Sequence, residues 1–474
     1  MRGVFRLYQK RLHLLIRRYQ QTQSAVASPS DAADSATNIS KPITPAKPIS
    51  QRPELDFDYL LNPANRDTIA SNIVARKKVG DIDKLLSLWQ EIQQTLRKGT
   101  NQQIQASSVA ELENLWNNFY SEASLIPNNT HPSTPIGSED KAKVVELVGS
   151  KPQESEGART PFTVEVSGTK ANLLILDAGR YAGERSYALL DGLARLERAL
   201  IGYALNHVVG RHGFQPITVP DILSVDIPVR CGLIQRSPKN ILFTIGAKDD
   251  SSHCLAGTAE MGIAQYLSDK TFESEDLPLR LVSVSRCYRP EIAKGRVQRG
   301  LYRVHDFAKV EMFIVTKNET GQESEEAFHQ LIDIQKNIYK DLGLHFRILQ
   351  MPSEELGLPA YRKFDLEAWM PGRQIFGELC SASNCTDFQS RRLGVKYRDE
   401  RGQLKFVHTL NGTACAIPRT IVAMVEQLQK TNNTVPIPEA LQPYFGLPLL
   451  APARKPLTMK SSVPSSLYKI HFDT

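Results

Sequence analysis

The chain has 474 residues, 41% of them hydrophobic and 23% charged, which leaves room for one large domain of about 250–350 residues with smaller pieces attached. No run of 18 apolar residues occurs, so a membrane-spanning helix is not expected. A formal charge of +7 favours a polyanionic partner but is too small to establish one.

The first 20 residues, MRGVFRLYQKRLHLLIRRYQ, hold six Arg or Lys and no acid, and the first acidic residue of the chain is Asp31. Arg17 and Arg18 argue against the unbroken apolar core of a secretory signal. An Arg-rich, acid-free amphipathic leader is the pattern of a mitochondrial transit peptide, expected over 1–25, with a basic nucleic-acid-binding tail as the alternative. The Ser, Ala, Thr and Pro residues that follow read as a flexible linker over 26–50.

An N-terminal domain is expected over 51–140. Its first helical region runs from about 66 to 98, where Ile82, Leu85, Leu86, Trp89, Ile92 and Leu96 recur at three- and four-residue spacing. A second helix is expected over 107–125, with Val109, Leu112, Leu115, Trp116 and Phe119 on its apolar face. Together they suggest a short antiparallel helical arm. The segment 126–140, IPNNTHPSTPIGSED, reads as a linker between domains.

The main domain is expected over 141–450, with a tail over 451–474. A long amphipathic helix is expected over 187–213, lined by Leu189, Leu193, Leu196, Leu200 and Tyr203, and Pro216 and Pro220 limit where the next strand can sit. In CLAGTAEMGIAQYL, Thr258 and Glu260 stand at a helix entrance, where the hydroxyl can cap an orphan N–H. The stretches around YRKFDLEAWMPG and RQIFGELCSASNCTDFQSRR read as strands and a polar loop. The last strong element is an apolar helix through Ile421, Val422, Met424, Val425 and Leu428, with Arg419 at its mouth. This makes an α+β chain with a substantial antiparallel sheet. Six cysteines occur without a CxxC pair, so neither a zinc site nor a disulfide scaffold is indicated. Neither GxGxxG nor GxxxxGK[ST] is present.

The segment RCYRPEIAKGRVQRGLYRVHDFAKVEMF, 286–313, concentrates Arg289, Glu291, Arg296, Arg299, Arg303, Lys309 and Glu311 around Phe307. Alternating arms and glycines at 295 and 300 predict a hairpin with a basic tip. A solvated surface hairpin and an anionic-ligand site are both open from this segment alone. An Arg and a Glu two residues apart share one strand face, which a merely solvated face does not need.

Five stretches in order carry a resemblance to class II aminoacyl-tRNA synthetases, and among them to the seryl branch of mitochondrial type. GLARLERALIGYALNHVVGRHGFQPITVP resembles the family's first motif, the dimer-interface helix and its proline, here Pro220. The hairpin resembles the second motif, NGTACAIPRTIVAMVEQLQ the third, and GTAE (257–260) and ELCSASNCTDFQSRR (378–392) the seryl signatures. The resemblance covers roughly 180–450, and 51–140 more faintly. It implies a class II catalytic domain with a central antiparallel sheet, a homodimer, the substrates L-serine, ATP and tRNA-Ser, the metal Mg2+, no membrane association, and residence in the mitochondrial matrix.

The resemblance also implies roles. Arg289 clamps the α-phosphate and the serine carboxylate, Glu291 receives the adenine amino group, and Phe307 lies beneath the base, although by itself it reads as a strand-core phenylalanine. Arg419 meets the γ-phosphate. Near a helix start an arginine opposes the helix dipole, an objection that an anionic ligand or acidic neighbour removes. Glu378, with Ser381, holds magnesium. Thr258 and Glu260 sit beside the substrate, Glu311 receives the α-ammonium, Asn411 and Thr413 lie near the serine side chain, and Thr413 reads its hydroxyl. Arg296 and Arg299 contact tRNA. Cys380 and Cys385 read as packing thiols.

Three departures from the bacterial pattern stand out. About 46 residues separate Asp81 from Pro127, so each arm helix is short, and Lys84, Arg97 and Lys98 are its main basic residues. The loop from Arg289 to Arg299 is one residue shorter, and Pro418 precedes Arg419 where glycine is common. An inactive synthetase-like paralogue that binds RNA or protein is a rival function, but Arg289, Glu291, Glu378 and Arg419 are all present. An adenylate-forming enzyme that charges a non-tRNA carrier is the other rival. The short arm leaves it open, and the basic hairpin tip speaks against it.

Overall fold

Alternation along LRLVSVSRCY and DFAKVEMFIVT makes two strands, and their pairing seeds the sheet on which everything else is arranged. The computed structural model describes residues 52–98, 106–152, 173–176, 185–233, 242–246, 253–291, 300–430 and 434–451. The leader, the 26–50 linker, the tail after 451, and Arg296 and Arg299 lie outside the described residues. The chain divides into two compact units between Asn129 and Thr130.

In the first unit, helix α1 (Arg66–Ala75), α2 (Ile82–Lys98) and α3 (Ala106–Leu125) share one apolar cluster. The single helical region expected over 66–98 is therefore two helices. Apolar spacing lapses between them, and Lys77, Lys78 and Gly80 take left-handed φ values of 63°, 57° and 85°, which a helix cannot contain. Asp81 then restarts the helix, accepting from the backbone N–H groups of Asp83 and Lys84 at 2.9 and 3.0 Å. Along the arm Lys84 meets Glu122 at 2.8 Å and Trp89 packs edge-on against Trp116 at 6.2 Å. Rising numbers on α2 thus meet falling numbers on α3, and the two helices run antiparallel. Their 17 and 20 residues give about 25 and 30 Å of length.

In the second unit β1 (Lys143–Val148) precedes α4 (Asp191–His212) and β2 (Gln215–Pro216). The helix expected from 187 starts later, because Tyr187–Leu189 pairs antiparallel with Leu174–Leu176. The Leu190 N–H also goes to the Leu173 carbonyl, at 2.7 Å. Leu189 is thus a strand residue, while Leu193, Leu196, Leu200 and Tyr203 do line the helix core. Next come α5 (Ala259–Leu267), β3 (Leu279–Tyr288), β4 (Asp306–Thr316), α6 (Gln322–Asp341), β5 (Phe346–Gln350), β6 (Arg362–Met370), β7 (Ile375–Asn384), α7 (Phe388–Leu393), β8 (His408–Ala416) and α8 (Ile417–Leu428). An eight-stranded sheet has the order β1-β5-β6-β7-β8-β4-β3-β2. Its neighbours are antiparallel except β2, which runs parallel to β3. This is the α+β class with a central antiparallel sheet. Residues 130–140, read from sequence as linker, pack with the second unit: His131 N–H donates to the Tyr361 carbonyl at 2.9 Å, and Ser353 N–H to that of Pro135 at 2.8 Å. Among the described residues no helix is long and apolar enough to cross a membrane.

Apolar faces of α4, α6 and α8 cover the sheet and form one continuous core with it. Beneath α8 the charges of Arg373 and Glu426 pair with both side chains at 0% exposure, and Glu426 also accepts the Gly372 N–H at 2.8 Å. That pair ties the β6–β7 turn to the helix. Removing one partner strands the other charge in the core. Glu426→Leu is therefore expected to cost about 3–5 kcal/mol in chemical denaturation, and adding Arg373→Met to recover most of it. A single variant within about 0.5 kcal/mol of the parent would show that the pair is not a structural lock.

Candidate active site

Strand period places Phe307, Lys309 and Glu311 on one face of β4. Pairing of β4 with β8 sets Glu311 opposite Thr413, next to a register shift between Val310 and Glu311. A similar shift between Leu366 and Glu367 separates two acidic pairings of β6 with β7, Asp365 with Ser381 and Glu367 with Glu378. Such bulges re-aim side chains. Together these elements line a cavity of about 290 Å³. It gathers Thr258, Glu260, Arg289, Glu291, Phe307, Glu311, Glu378, Ser381, Asn411, Thr413 and Arg419, every expected site residue within the described set. Arg296 and Arg299 fall outside that set.

At one end the groups are small and hydrogen-bonded. Thr258 caps α5, accepting from Glu260 N–H at 3.4 Å. Thr413 Oγ1 donates to Glu311 Oε2 at 2.9 Å, and Glu311 is 3% exposed. Lys309 Nζ lies 2.6 Å from the same oxygen and donates to Thr258 Oγ1 at 2.9 Å. Glu260 Oε1 accepts from Gln389 Nε2 at 2.6 Å and Asn411 Nδ2 at 3.1 Å. Burial, reinforced by the charge of Glu311, pushes the Glu260 carboxyl up to about 7 against the pull of the Gln389 bond and of Lys309 and Arg289. Below this layer Gln335 Nε2 donates to the carbonyls of Ser381 and Thr413 at 2.8 and 2.9 Å, locking β7 and β8 to α6.

The other end is dominated by guanidinium groups. Arg289 Nε donates to the Gly257 carbonyl at 3.2 Å, and its guanidinium lies 5.4 Å from the Phe307 ring centre. Phe307 is half-buried and lines the cavity, so it is not a strand-core residue. Glu291 takes a φ of 40° and accepts from Arg303 Nη1 at 2.8 Å. A left-handed glutamate is uncommon, and such strain gathers at functional sites. Arg419, in the first turn of α8, donates to the Tyr302 carbonyl at 3.1 Å and from Nη1 to Glu378 Oε2 at 3.0 Å. The acidic neighbour that an arginine needs at a helix N-terminus is therefore Glu378. Burial alone would raise the Glu378 carboxyl, but Arg419, Lys363 and Arg289 outweigh it and hold the group well below the usual range. Asp365 moves the other way. Its burial wins over the Lys363 ammonium 2.9 Å away, and the negative charge of Glu378 adds to the rise.

Among the described residues no group of three or more His, Cys, Asp or Glu is arranged for a metal ion. The carboxylate of Glu378 and the hydroxyl of Ser381 are hard oxygens lining the same cavity. They suit a cation that draws its remaining ligands from phosphates and water, as magnesium does. All six cysteines are buried, including Cys380 and Cys385.

Sequence reasoning missed Lys363 and Tyr302 as cavity groups, and it singled out Lys309 and Arg303 without giving either a role. Lys309 carried a usable signal, since it alternates with Phe307 and Glu311 on one strand face. Gln389 and Gln335 carried none, because their roles depend on partners 129 and 78 positions away in the chain.

Residues 243–428 match the profile of the tRNA synthetase class II core domain (G, H, P, S and T). The mitochondrial serine--tRNA ligase of Mus musculus is 45% identical over 341 residues, 72% of this chain and 65% of that one. The Bos taurus counterpart is likewise 45% identical and is matched over 62% of its length, so the chain spans less than two thirds of either relative. The serine--tRNA ligase of Treponema denticola is 35% identical over 82% of this chain and 99% of its own. Among solved structures, the seryl-tRNA synthetase of Pyrococcus horikoshii complexed with ATP superposes with a TM-score of 0.74 at 27% identity, covering 84% of this chain and all of that one. Sequence and fold agree: the chain belongs to the seryl-tRNA synthetase family of the class II tRNA synthetases.

Proposed function

We propose that this protein is the serine--tRNA ligase of the mitochondrial matrix, activating L-serine with ATP and transferring the seryl group to tRNA-Ser. The observation that carries this is the cavity itself, where a buried amine-binding corner adjoins a pair of guanidinium groups. A serine carboxylate oxygen attacks the α-phosphorus, the α–β phosphoanhydride bond breaks, and pyrophosphate leaves. A terminal ribose hydroxyl of the tRNA then attacks the seryl carbonyl, and AMP departs.

Negative charge accumulates on the pentavalent phosphorus, so fixed cations aimed there lower the barrier. Arg289 bridges the carboxylate and the α-phosphate with its planar fork, a geometry a lysine cannot supply. Arg419 takes the γ-phosphate. Phe307 stacks beneath adenine, and Glu291 accepts its amino group. Glu378 and Ser381 are the residues that would hold Mg2+, which when bound screens the phosphate charge. Thr258 and Glu311 receive the α-ammonium, and Glu260, Asn411 and Thr413 face the serine side chain. Alanine is rejected because a missing hydroxyl leaves buried polar groups unpaired. Arg296 and Arg299 meet the tRNA backbone, adding affinity with little base reading. The protein works as a homodimer through the segment from α4 to Pro220.

Charging of mitochondrial and cytosolic tRNA pools with labelled serine, ATP and magnesium tests the whole reading, with protein lacking residues 1–25. Transfer to mitochondrial tRNA-Ser is expected, and no transfer to either pool by folded protein would sink it in favour of a carrier-charging enzyme or an inactive paralogue. Arg419→Ala is expected to lower serine-dependent ATP–pyrophosphate exchange by about a hundredfold or more, an effect far larger than its effect on folding stability. Near-normal exchange in the folded variant would remove Arg419 from its assigned place.

Glu260 makes a prediction about pH. Its folded-state value, about 7, lies above the ordinary 4.5. Folding therefore favours its protonated form, and the stability this contributes is full below about pH 4.5 and is lost as pH rises to about 7. Glu260→Gln should remove that loss, so the stability difference between parent and variant shifts by on the order of 2 kcal/mol between pH 4.5 and 8. Parallel stability profiles for the two proteins would contradict the assignment.

A further inference from the structure

Lys309 has no part in the reaction set out above, yet it is 7% exposed and central to the amine-binding corner. Its ammonium lies 2.6 Å from Glu311 Oε2 and donates to Thr258 Oγ1 at 2.9 Å. The same Glu311 oxygen accepts the Thr413 hydroxyl at 2.9 Å. Thr258 and Glu311 are the two groups assigned above to the α-ammonium of serine. A lysine ammonium and an α-ammonium present the same chemistry, three N–H donors on one positive charge. The chain thus already satisfies the substrate's ammonium site with an ammonium of its own.

We propose that Lys309 is a built-in competitor for the amino group of the substrate, so that serine binds by exchanging its α-ammonium for that of Lys309 on Glu311 and Thr258. The inference rests on the serine reading of this corner. Two ammonium groups at one buried carboxylate oxygen repel, so entry of one expels the other. The flexible four-carbon stem lets the expelled charge swing into the part of the cavity that receives the substrate's carboxylate and phosphates. Glu311 stays paired throughout the exchange, which matters because a buried carboxylate left without a partner is costly. A carboxylic acid of the same shape without an amine cannot drive the exchange. Lys309 therefore holds down the affinity for amino acids, while hydroxy acids, which leave it on Glu311, bind without that cost.

The test is calorimetric binding of L-serine and of L-glycerate, which replaces the ammonium by hydroxyl, to the parent protein, to Lys309→Met and to Lys309→Arg. Lys309→Met removes the competitor, so serine is expected to bind about fivefold more tightly or better, with L-glycerate unchanged within twofold. Lys309→Arg, whose fork grips both oxygens, is expected to weaken serine alone, and it keeps the test decisive if the methionine variant does not fold. Serine and glycerate affinities moving together would reduce Lys309 to a structural partner of Glu311 and overturn the proposal. Serine weakening alone in Lys309→Met would overturn it too, since the lysine would then assist binding. Failure of the underlying reading has a different signature: serine and glycerate binding alike to the parent and to Glu311→Gln would show that this corner does not receive an ammonium at all.

Discussion

Cations crowded into a buried cavity have to be neutralised before any anion arrives, and this constraint organises the site. Arg419 is held by Glu378 at 3.0 Å, Lys309 by Glu311 at 2.6 Å, Lys363 by Asp365 at 2.9 Å and Arg303 by Glu291 at 2.8 Å. Three of these pairs join two cavity-lining residues, and Asp365 holds Lys363 from outside the lining, so the charges are braced in place. Arg289 is held differently, by the Gly257 carbonyl and the Phe307 ring. A carbonyl and a ring face satisfy part of a guanidinium without cancelling its charge, which leaves the group able to engage phosphate and carboxylate oxygens. That difference in partners supports the place proposed for Arg289 at the reacting centre.

Local pattern made much of this fold legible, and its limits were also local. Alternation marked β3 and β4, and the apolar stripe marked α8, because a strand or helix half-buried in a core must repeat its apolar residues at its own period. The same logic failed where chain direction is decided by partners rather than by period. Tyr187–Leu189 reads as the start of a helix until it pairs with Leu174–Leu176. Residues 77–80 look like a pause in a helix until their left-handed backbone shows them to be its end. The site residues were named through a family resemblance, not through spacing. What brings Glu311 to Thr413 across 102 positions is the β4–β8 register, and no local signal encodes that. Lys309 was singled out in the same segment but given no role, because only the folded chain shows it buried between Glu311 and Thr258.

The helical arm offers little electrostatic hold on a polyanion. Its packing is sound, with Trp89, Trp116 and Phe119 in one aromatic cluster, but α3 carries Glu111, Glu113 and Glu122 and no Lys or Arg. Lys84, one of the few basic residues of α2, is already paired with Glu122. Nucleic-acid affinity comes chiefly from phosphate neutralisation, and a helix with three acids and no base repels phosphate. Any electrostatic grip on a polyanion must therefore come mainly from elsewhere in a chain whose formal charge is +7.

The site departs from relaxed geometry at several points, and the departures have a common support. Glu291 sits at positive φ, β4 and β6 shift register beside Glu311 and Glu367, and several carboxylates lie away from bulk water. Each of these opposes folding by a modest amount. They persist because the opposite face of the same strands is close-packed against α4, α6 and α8, where Val310, Met312, Phe328, Leu331, Ile421 and Met424 are fully buried. Strand alternation makes the two faces inseparable: Glu311 cannot turn from the cavity without drawing Val310 and Met312 out of the core. The apolar residues thus fix the directions of the polar ones, and the charge constellation inherits its rigidity from a core that takes no part in its chemistry.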